Sequence, residues 1–161
     1  MTFFEDIAVG DEADLGSYTF TEAEIVDFAR QWDPQPFHID SQAGVEGPFG
    51  ALCASGWHTA CVWMKLFVAH NSRMIAEREK AGEPVPRIGA SPGFTDLSWR
   101  KPVYPGDTLT YSTRVVDKRE LSSRPDWGLI TLRNEAENQT GEPVFGFTAQ
   151  VFVERRSSAA G

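Results

Sequence analysis

Ser55-Gly56-Trp57-His58-Thr59-Ala60-Cys61-Val62-Trp63-Met64-Lys65-Leu66-Phe67-Val68-Ala69 is the stretch that decides the fold, because it is apolar on nearly every side. At a helical period of about 3.6 residues such a segment has no flank suited to water, so it reads as a helix surrounded by protein. Ser55 is a good N-cap for it. The polar run from Asn71 to Lys80 carries the helix outward, and Gly82 supplies a stop residue.

Downstream of Pro86 the period changes to two. Leu97 and Trp99, then Leu109, Tyr111, Thr113 and Val115, then Ile130, Leu132, Asn134 and Ala136 alternate as strands do. A last strand is expected from Val144 to Val153, set off from its predecessor by the turn-like Asn138-Gln139-Thr140-Gly141-Glu142-Pro143. Upstream, Thr21 and Glu24 form a capping box ahead of Ile25, Phe28, Ala29 and Trp32, which share one helical face. This predicts a short helix over 22–32. Phe3 to Tyr18 carries Gly10 and Gly16 and only weak alternation, which reads as a short strand or coil. An apolar helix followed by a run of antiparallel strands is an α+β arrangement in which the sheet wraps the helix.

At 161 residues the chain has the size of one domain, taken as 1–155, with 156–161 read as a disordered tail. A net charge of -8 argues against a nucleic-acid partner, whose phosphates are neutralised by Lys and Arg. No apolar run reaches the roughly 20 residues that span a bilayer, and no N-terminal leader pattern is visible. The expectation is a cytoplasmic protein without nucleic-acid or membrane partners. Cys53 and Cys61 lie in apolar sequence without His/Cys spacing of a zinc site; both read as buried structural thiols, and no metal is expected.

Between the two helices, residues 33–50 read as a loop, because Pro34 pushes Asp33 away from helical angles and Pro36 extends the effect. Within it, Asp33-Pro34-Gln35-Pro36-Phe37-His38-Ile39-Asp40 sets a carboxylate, an amide and an imidazole on backbone stiffened by proline. An imidazole that titrates near neutrality beside a carboxylate can handle protons. The same spacing is also met where an Asp only ends a helix and a His only bonds within a core. His58, inside the apolar helix, reads as a core histidine, and His70 as a solvated one. Trp32, Trp57 and Trp63 either crowd a pocket or pack as plain core.

Asp33-x-Gln35-Pro36-x-His38-x-Asp40 resembles the hydratase motif of MaoC-like proteins, Asp-x-Asn-Pro-x-His-x-Asp, with Gln35 in place of the usual Asn. The similarity continues through Phe49-Gly50, Ala54-Ser55-Gly56, Lys101-Pro102-Val103-Tyr104-Pro105-Gly106-Asp107 and Asn138-Gln139-x-Gly141, and covers most of residues 3–155. The resemblance implies a hotdog fold, in which a curled antiparallel sheet holds a long central helix and two copies join edge to edge, with acyl-CoA entering near their interface. It implies an (R)-specific enoyl-CoA hydratase with Asp33 and His38 as the catalytic pair, Gln35 and Pro36 supporting the loop, and no cofactor beyond the coenzyme A thioester substrate. Backbone donors near Ser55 and Gly56 would stabilise the thioester oxygen, since a helix N-terminus presents unpaired N–H groups; plain capping is the competing role. Two other activities stay open. One is a hotdog thioesterase, although residues 56–70 hold no Asp or Glu. The other is a non-catalytic acyl-binding subunit, for which Gln35 is the argument.

Overall fold

A computed structural model describes residues 2–156. The deciding stretch forms a helix, Gly56–Lys80. In chain order the elements are β1 (Glu12–Thr19), α1 (Glu22–Trp32), α2 (Pro36–Ile39), α3 (Ser41–Glu46), α4 (Gly56–Lys80), β2 (Phe94–Trp99), β3 (Thr108–Glu120), β4 (Trp127–Glu137) and β5 (Pro143–Glu154). A single 3-10 turn, Phe4–Asp6, precedes β1. The five strands form one antiparallel sheet in the order β1-β3-β4-β5-β2, so β1 and β2 are its edges.

Alternation sets the sheet's two faces. Leu109, Tyr111, Thr113 and Val115 of β3, Ile130, Leu132, Asn134 and Ala136 of β4, and Phe145, Phe147, Ala149, Val151 and Val153 of β5 are all buried. They pack against Val62 and Trp63 of α4, with Phe67 at the boundary. The Trp63 ring stacks on Phe67 at 4.9 Å and meets Phe147 edge-on at 4.6 Å. Asn134, wholly buried among these apolar groups, is satisfied by the Thr113 hydroxyl at 2.8 Å and by the Leu132 carbonyl. Helix α1 begins as its capping box predicts, with the Thr21 hydroxyl accepting from Glu24 N and the Glu24 carboxylate accepting from Thr21 N.

Three readings need correction. The apolar helix is not covered all round by its own chain: His58, Thr59, Val62 and Trp63 are buried, whereas Trp57, Cys61, Met64 and Val68 form an exposed stripe on the opposite flank. A five-stranded sheet with β1 and β2 at its edges covers one side of a helix only. Cys61 is consequently exposed, while Cys53 is buried as expected. The loop over 33–50 contains two short helices, because Pro36 can occupy the first turn of α2 and the Asp40 carboxylate caps α3 by accepting from Ala43 N at 2.7 Å. Of the strand and coil readings of the N-terminal segment the strand holds: β1 is an edge strand whose weak alternation reflects a register shift between Asp14 and Gly16, where Gly16 takes a φ of 103°.

Trp63 belongs to the core, as one reading of the tryptophans has it, but Trp32 and Trp57 do not. Arg156 pairs with Asp6 and its backbone N–H donates to Glu5. The remaining positions of the expected tail, 157–161, lie outside the described residues.

Candidate active site

Helix α1 stops at Asp33, whose ψ of 68° leaves the helical region before Pro34. The chain then turns so that α2 carries His38 inward, almost fully buried, while the Asp33 side chain stays near the surface of the same recess. From the other direction, the strand-like approach to α4 is held by Ala54 N donating to the Val103 carbonyl at 2.8 Å, which brings Ser55 and Gly56 alongside. Asp33, His38, Ser55, Gln35 and Gly56, separated in sequence, thus meet at the start of α4.

The contacts are specific. Asp33 Oδ2 accepts from the Ser55 hydroxyl at 2.6 Å, and Asp33 Oδ1 accepts from the Gln35 side-chain amide at 2.9 Å. The Ser55 hydroxyl oxygen in turn accepts from Trp57 N at 3.2 Å, so one side chain both caps α4 and holds the carboxylate. His38 Nδ1 lies 2.7 Å from the Cys53 carbonyl oxygen. A carbonyl can only accept, so Nδ1 bears the proton and, in the neutral ring, Nε2 keeps its lone pair. That Nε2 faces Asp33 Oδ2 at 3.5 Å, too far for a good direct hydrogen bond.

Burial pushes the Asp33 carboxyl upward, but the hydrogen bonds from Ser55 and Gln35, joined by the attraction of His38 when its ring carries a second proton, outweigh it and hold the group below the usual aspartate value. Asp33 is therefore ionised at neutral pH. The Cys53 thiol, 3.7 Å from His38 Nδ1, is pushed up to about 11 by burial and stays protonated, which makes it a poor nucleophile.

These groups open on a cavity of about 440 Å³ whose walls include Phe37, Phe49, Trp57 and Trp99, with Arg100 and Lys101 at its rim. As the first residue of α4, Gly56 has a backbone N–H without an intrahelical acceptor. The space beside its α-carbon is taken: a Cβ there would lie 2.6 Å from the Trp99 ring. The missing side chain at Gly56 makes room for the Trp99 ring. Pro36 begins α2. Asp40 caps α3, and Asp107 and Gln139 bind each other at 2.7 Å in the turn region, so these motif positions build the frame and lie outside the recess. His58 is buried, as its place in α4 predicts, and His70 is half-buried.

Two participants escaped the sequence reading. The Cys53 carbonyl that fixes the His38 tautomer is a backbone group, and no residue type signals it. Trp99 is legible as a strand residue, but nothing in its own segment says that it lies on Gly56. Among the described residues, no group of three or more His, Cys, Asp or Glu side chains is arranged to hold a metal ion.

Comparison with known proteins places this arrangement. A family profile described as MaoC like domain matches residues 6–127. The crystal structure of a MaoC-like dehydratase from Rhodospirillum rubrum is 38% identical, superposes with a TM-score of 0.81, and is matched over 98% of this chain and 100% of its own. A mesaconyl-CoA hydratase from Cereibacter sphaeroides is 36% identical over 83 residues, which are 49% of this chain and 24% of that protein. A protein from Mycobacterium tuberculosis described as having a double hotdog fold is 18% identical, with a TM-score of 0.72 over 99% of this chain and 46% of its own, a likeness of fold alone. With its five-stranded antiparallel sheet, its long helix and three quarters of its length matched to one profile, the chain has the hotdog fold and belongs to the MaoC-like domain family of dehydratases and hydratases.

Proposed function

We propose that the protein is a hydro-lyase that adds water reversibly to a trans-2-enoyl-CoA or a related thioester, giving the 3-hydroxyacyl thioester, with Asp33 and His38 as a single proton-handling unit. The observation that carries this reading is the 3.5 Å gap between His38 Nε2 and Asp33 Oδ2. Two acceptors at that separation, both facing a cavity, suit a water molecule that donates to each of them. As the water oxygen bonds to C3, one of its protons passes to the pair. The pair then delivers a proton to C2, so that H and OH have been added across the double bond and the enzyme returns to its starting state. Negative charge on the thioester oxygen is met by the Gly56 N–H at the positive end of α4. Ser55 keeps Asp33 oriented, and Gln35 does from the other oxygen what the family's shorter amide would do. The step is acid–base chemistry and calls for no cofactor.

The mesaconyl-CoA hydratase name carried by a relative supports the same reaction class. A hotdog thioesterase is disfavoured because residues 56–70, the part of α4 nearest the site, hold no Asp or Glu and Cys53 is a protonated thiol. The exposed stripe of Trp57, Cys61, Met64 and Val68, beside the edge strand β2, supports a homodimer. No helix among the described residues is long and apolar enough to cross a membrane. The test is loss of enoyl absorbance on adding purified protein, with thiol release followed in parallel. Enoyl loss without thiol supports the hydratase, thiol release a thioesterase, and neither a binding subunit.

A further inference from the structure

The Gly56 carbonyl carries more hydrogen bonds than its place in a helix asks of it. A helix carbonyl ordinarily accepts one backbone N–H from the following turn. This one also accepts the Trp99 ring N–H at 2.8 Å and the Thr59 hydroxyl at 2.7 Å. The proton transfers proposed above use neither group. Thr59 is almost wholly buried, and Trp99 arrives from β2, more than forty residues later in the chain. Its indole reaches the oxygen because Gly56 leaves room for the ring.

The peptide unit that owns this oxygen joins Gly56 to Trp57, and its N–H donates to the Ser55 hydroxyl oxygen at 3.2 Å. The Ser55 hydroxyl donates onward to Asp33 Oδ2 at 2.6 Å. A trans peptide is planar and conjugated, so a donor on its oxygen draws electron density from its nitrogen and makes the N–H on the far side a stronger donor. A hydroxyl that accepts a stronger bond donates a stronger one in turn, and the low local dielectric around fully buried Ser55 favours such polarisation. We propose that Trp99 and Thr59 are positioning residues for Asp33, acting through the Gly56–Trp57 peptide and the Ser55 hydroxyl to tighten the bond that holds the carboxylate. Their place in catalysis rests on the hydratase reading; the relay of hydrogen bonds does not. Because the two donors converge on one oxygen, removing either weakens the bond at Asp33 without breaking it. Gln35 holds the other carboxylate oxygen and lies off this path.

The experiment titrates Asp33 in the full chain by carboxyl NMR, its resonance assigned by its loss in Asp33→Asn, with circular dichroism and light scattering on every variant. Trp99→Phe and Thr59→Val should each raise the Asp33 pKa, by less than Ser55→Ala does. Thr59→Ser, which keeps the hydroxyl, should restore the parent titration. Tyr111→Phe removes a bond of 3.1 Å to the Thr59 carbonyl, on the same turn of α4 but off the path, and should leave Asp33 unmoved. In a Ser55→Ala background neither Trp99→Phe nor Thr59→Val should add to the rise, because the path is already cut. The acid limb of kcat/KM for crotonyl-CoA should follow the same order. Thr59→Val keeps the test open if Trp99→Phe disturbs the fold or the assembly. An unmoved Asp33 in the folded variants overturns the relay. A shift of equal size with and without Ser55 overturns it too, since that is the mark of a field acting directly on the carboxylate. A shift in Tyr111→Phe as large as in Thr59→Val does the same by exposing a general loosening of the helix start. Shifts in the stated order in a protein that hydrates no enoyl thioester would uphold the relay and overturn the hydratase reading alone.

Discussion

The Ser55 hydroxyl donates to Asp33 Oδ2 at 2.6 Å, joining the N-cap of the central helix to a carboxylate twenty-two residues earlier in the chain. Capping and carboxylate orientation are thus one interaction, and separating them is the first prediction. Ser55→Ala should cost about 1 kcal/mol of stability through the lost cap. It should also raise the Asp33 pKa, because burial then acts with less opposition. Asp33 has a folded pKa below its unfolded one, so its stabilising contribution is present above the unfolded value and fades as pH falls through the folded value. In Ser55→Ala the acid limb of kcat/KM should therefore move to higher pH, while Ser55→Thr should restore much of it. An unmoved acid limb in a folded variant would leave Ser55 with capping alone.

Gln35→Leu should move the same limb in the same direction by a smaller amount, since it removes the bond to Asp33 Oδ1 and leaves the cap intact. Gln35→Asn restores the family's residue. If the amide only orients Asp33, this variant should stay within a few-fold of the original turnover, and a pH profile is the readout.

Gly56→Ala should destabilise the protein by about 1–3 kcal/mol, because the new Cβ meets the Trp99 ring and packed surroundings yield poorly. Adding Trp99→Ala should recover part of that loss in urea denaturation, since the clash is between these two residues. Simple additivity would place the strain elsewhere.

His58 stacks on Phe28 at 4.6 Å and lies edge-on to Phe20 at 5.0 Å, with Nδ1 unpartnered among the described residues. Burial lowers its pKa, against the opposing pull of Glu24 from α1. The unfolded chain therefore takes up this proton first as pH drops below about 6.5, and stability falls through that window. Urea midpoints measured between about pH 7 and pH 5 should slope less steeply in His58→Phe than in the parent. Equal slopes would show that His58 is free to charge within the fold.

Light scattering should give a mass of at least twice the 17.9 kDa chain at micromolar concentration. Val68→Asp, on the exposed flank of α4, should weaken the assembly without unfolding the protein. A monomeric parent would remove the interface from the account.

Much of this was legible in the sequence because the signals were local. The Thr21 and Glu24 box, the proline stop after Asp33 and the alternation of β3 to β5 each depend on neighbours a few residues away. The pairing of Asp33 with His38 was legible through their motif. What stayed hidden was set by long-range geometry. The exposed flank of α4 follows from how many strands reach it, which composition does not encode. The His38 tautomer rests on a carbonyl, and the Trp99 contact on an edge strand arriving over forty residues later.

The most direct test of the central claim is kcat with a good enoyl-CoA for Asp33→Asn, His38→Ala and the double variant, each verified as folded. Each single change should lower kcat by about 100-fold or more. The double variant should lose far less than the product of the two, since both groups serve one transition state. Near-normal turnover in either single variant at saturating substrate would contradict the account, because a histidine that merely packs against Cys53 has no reason to govern the chemical step.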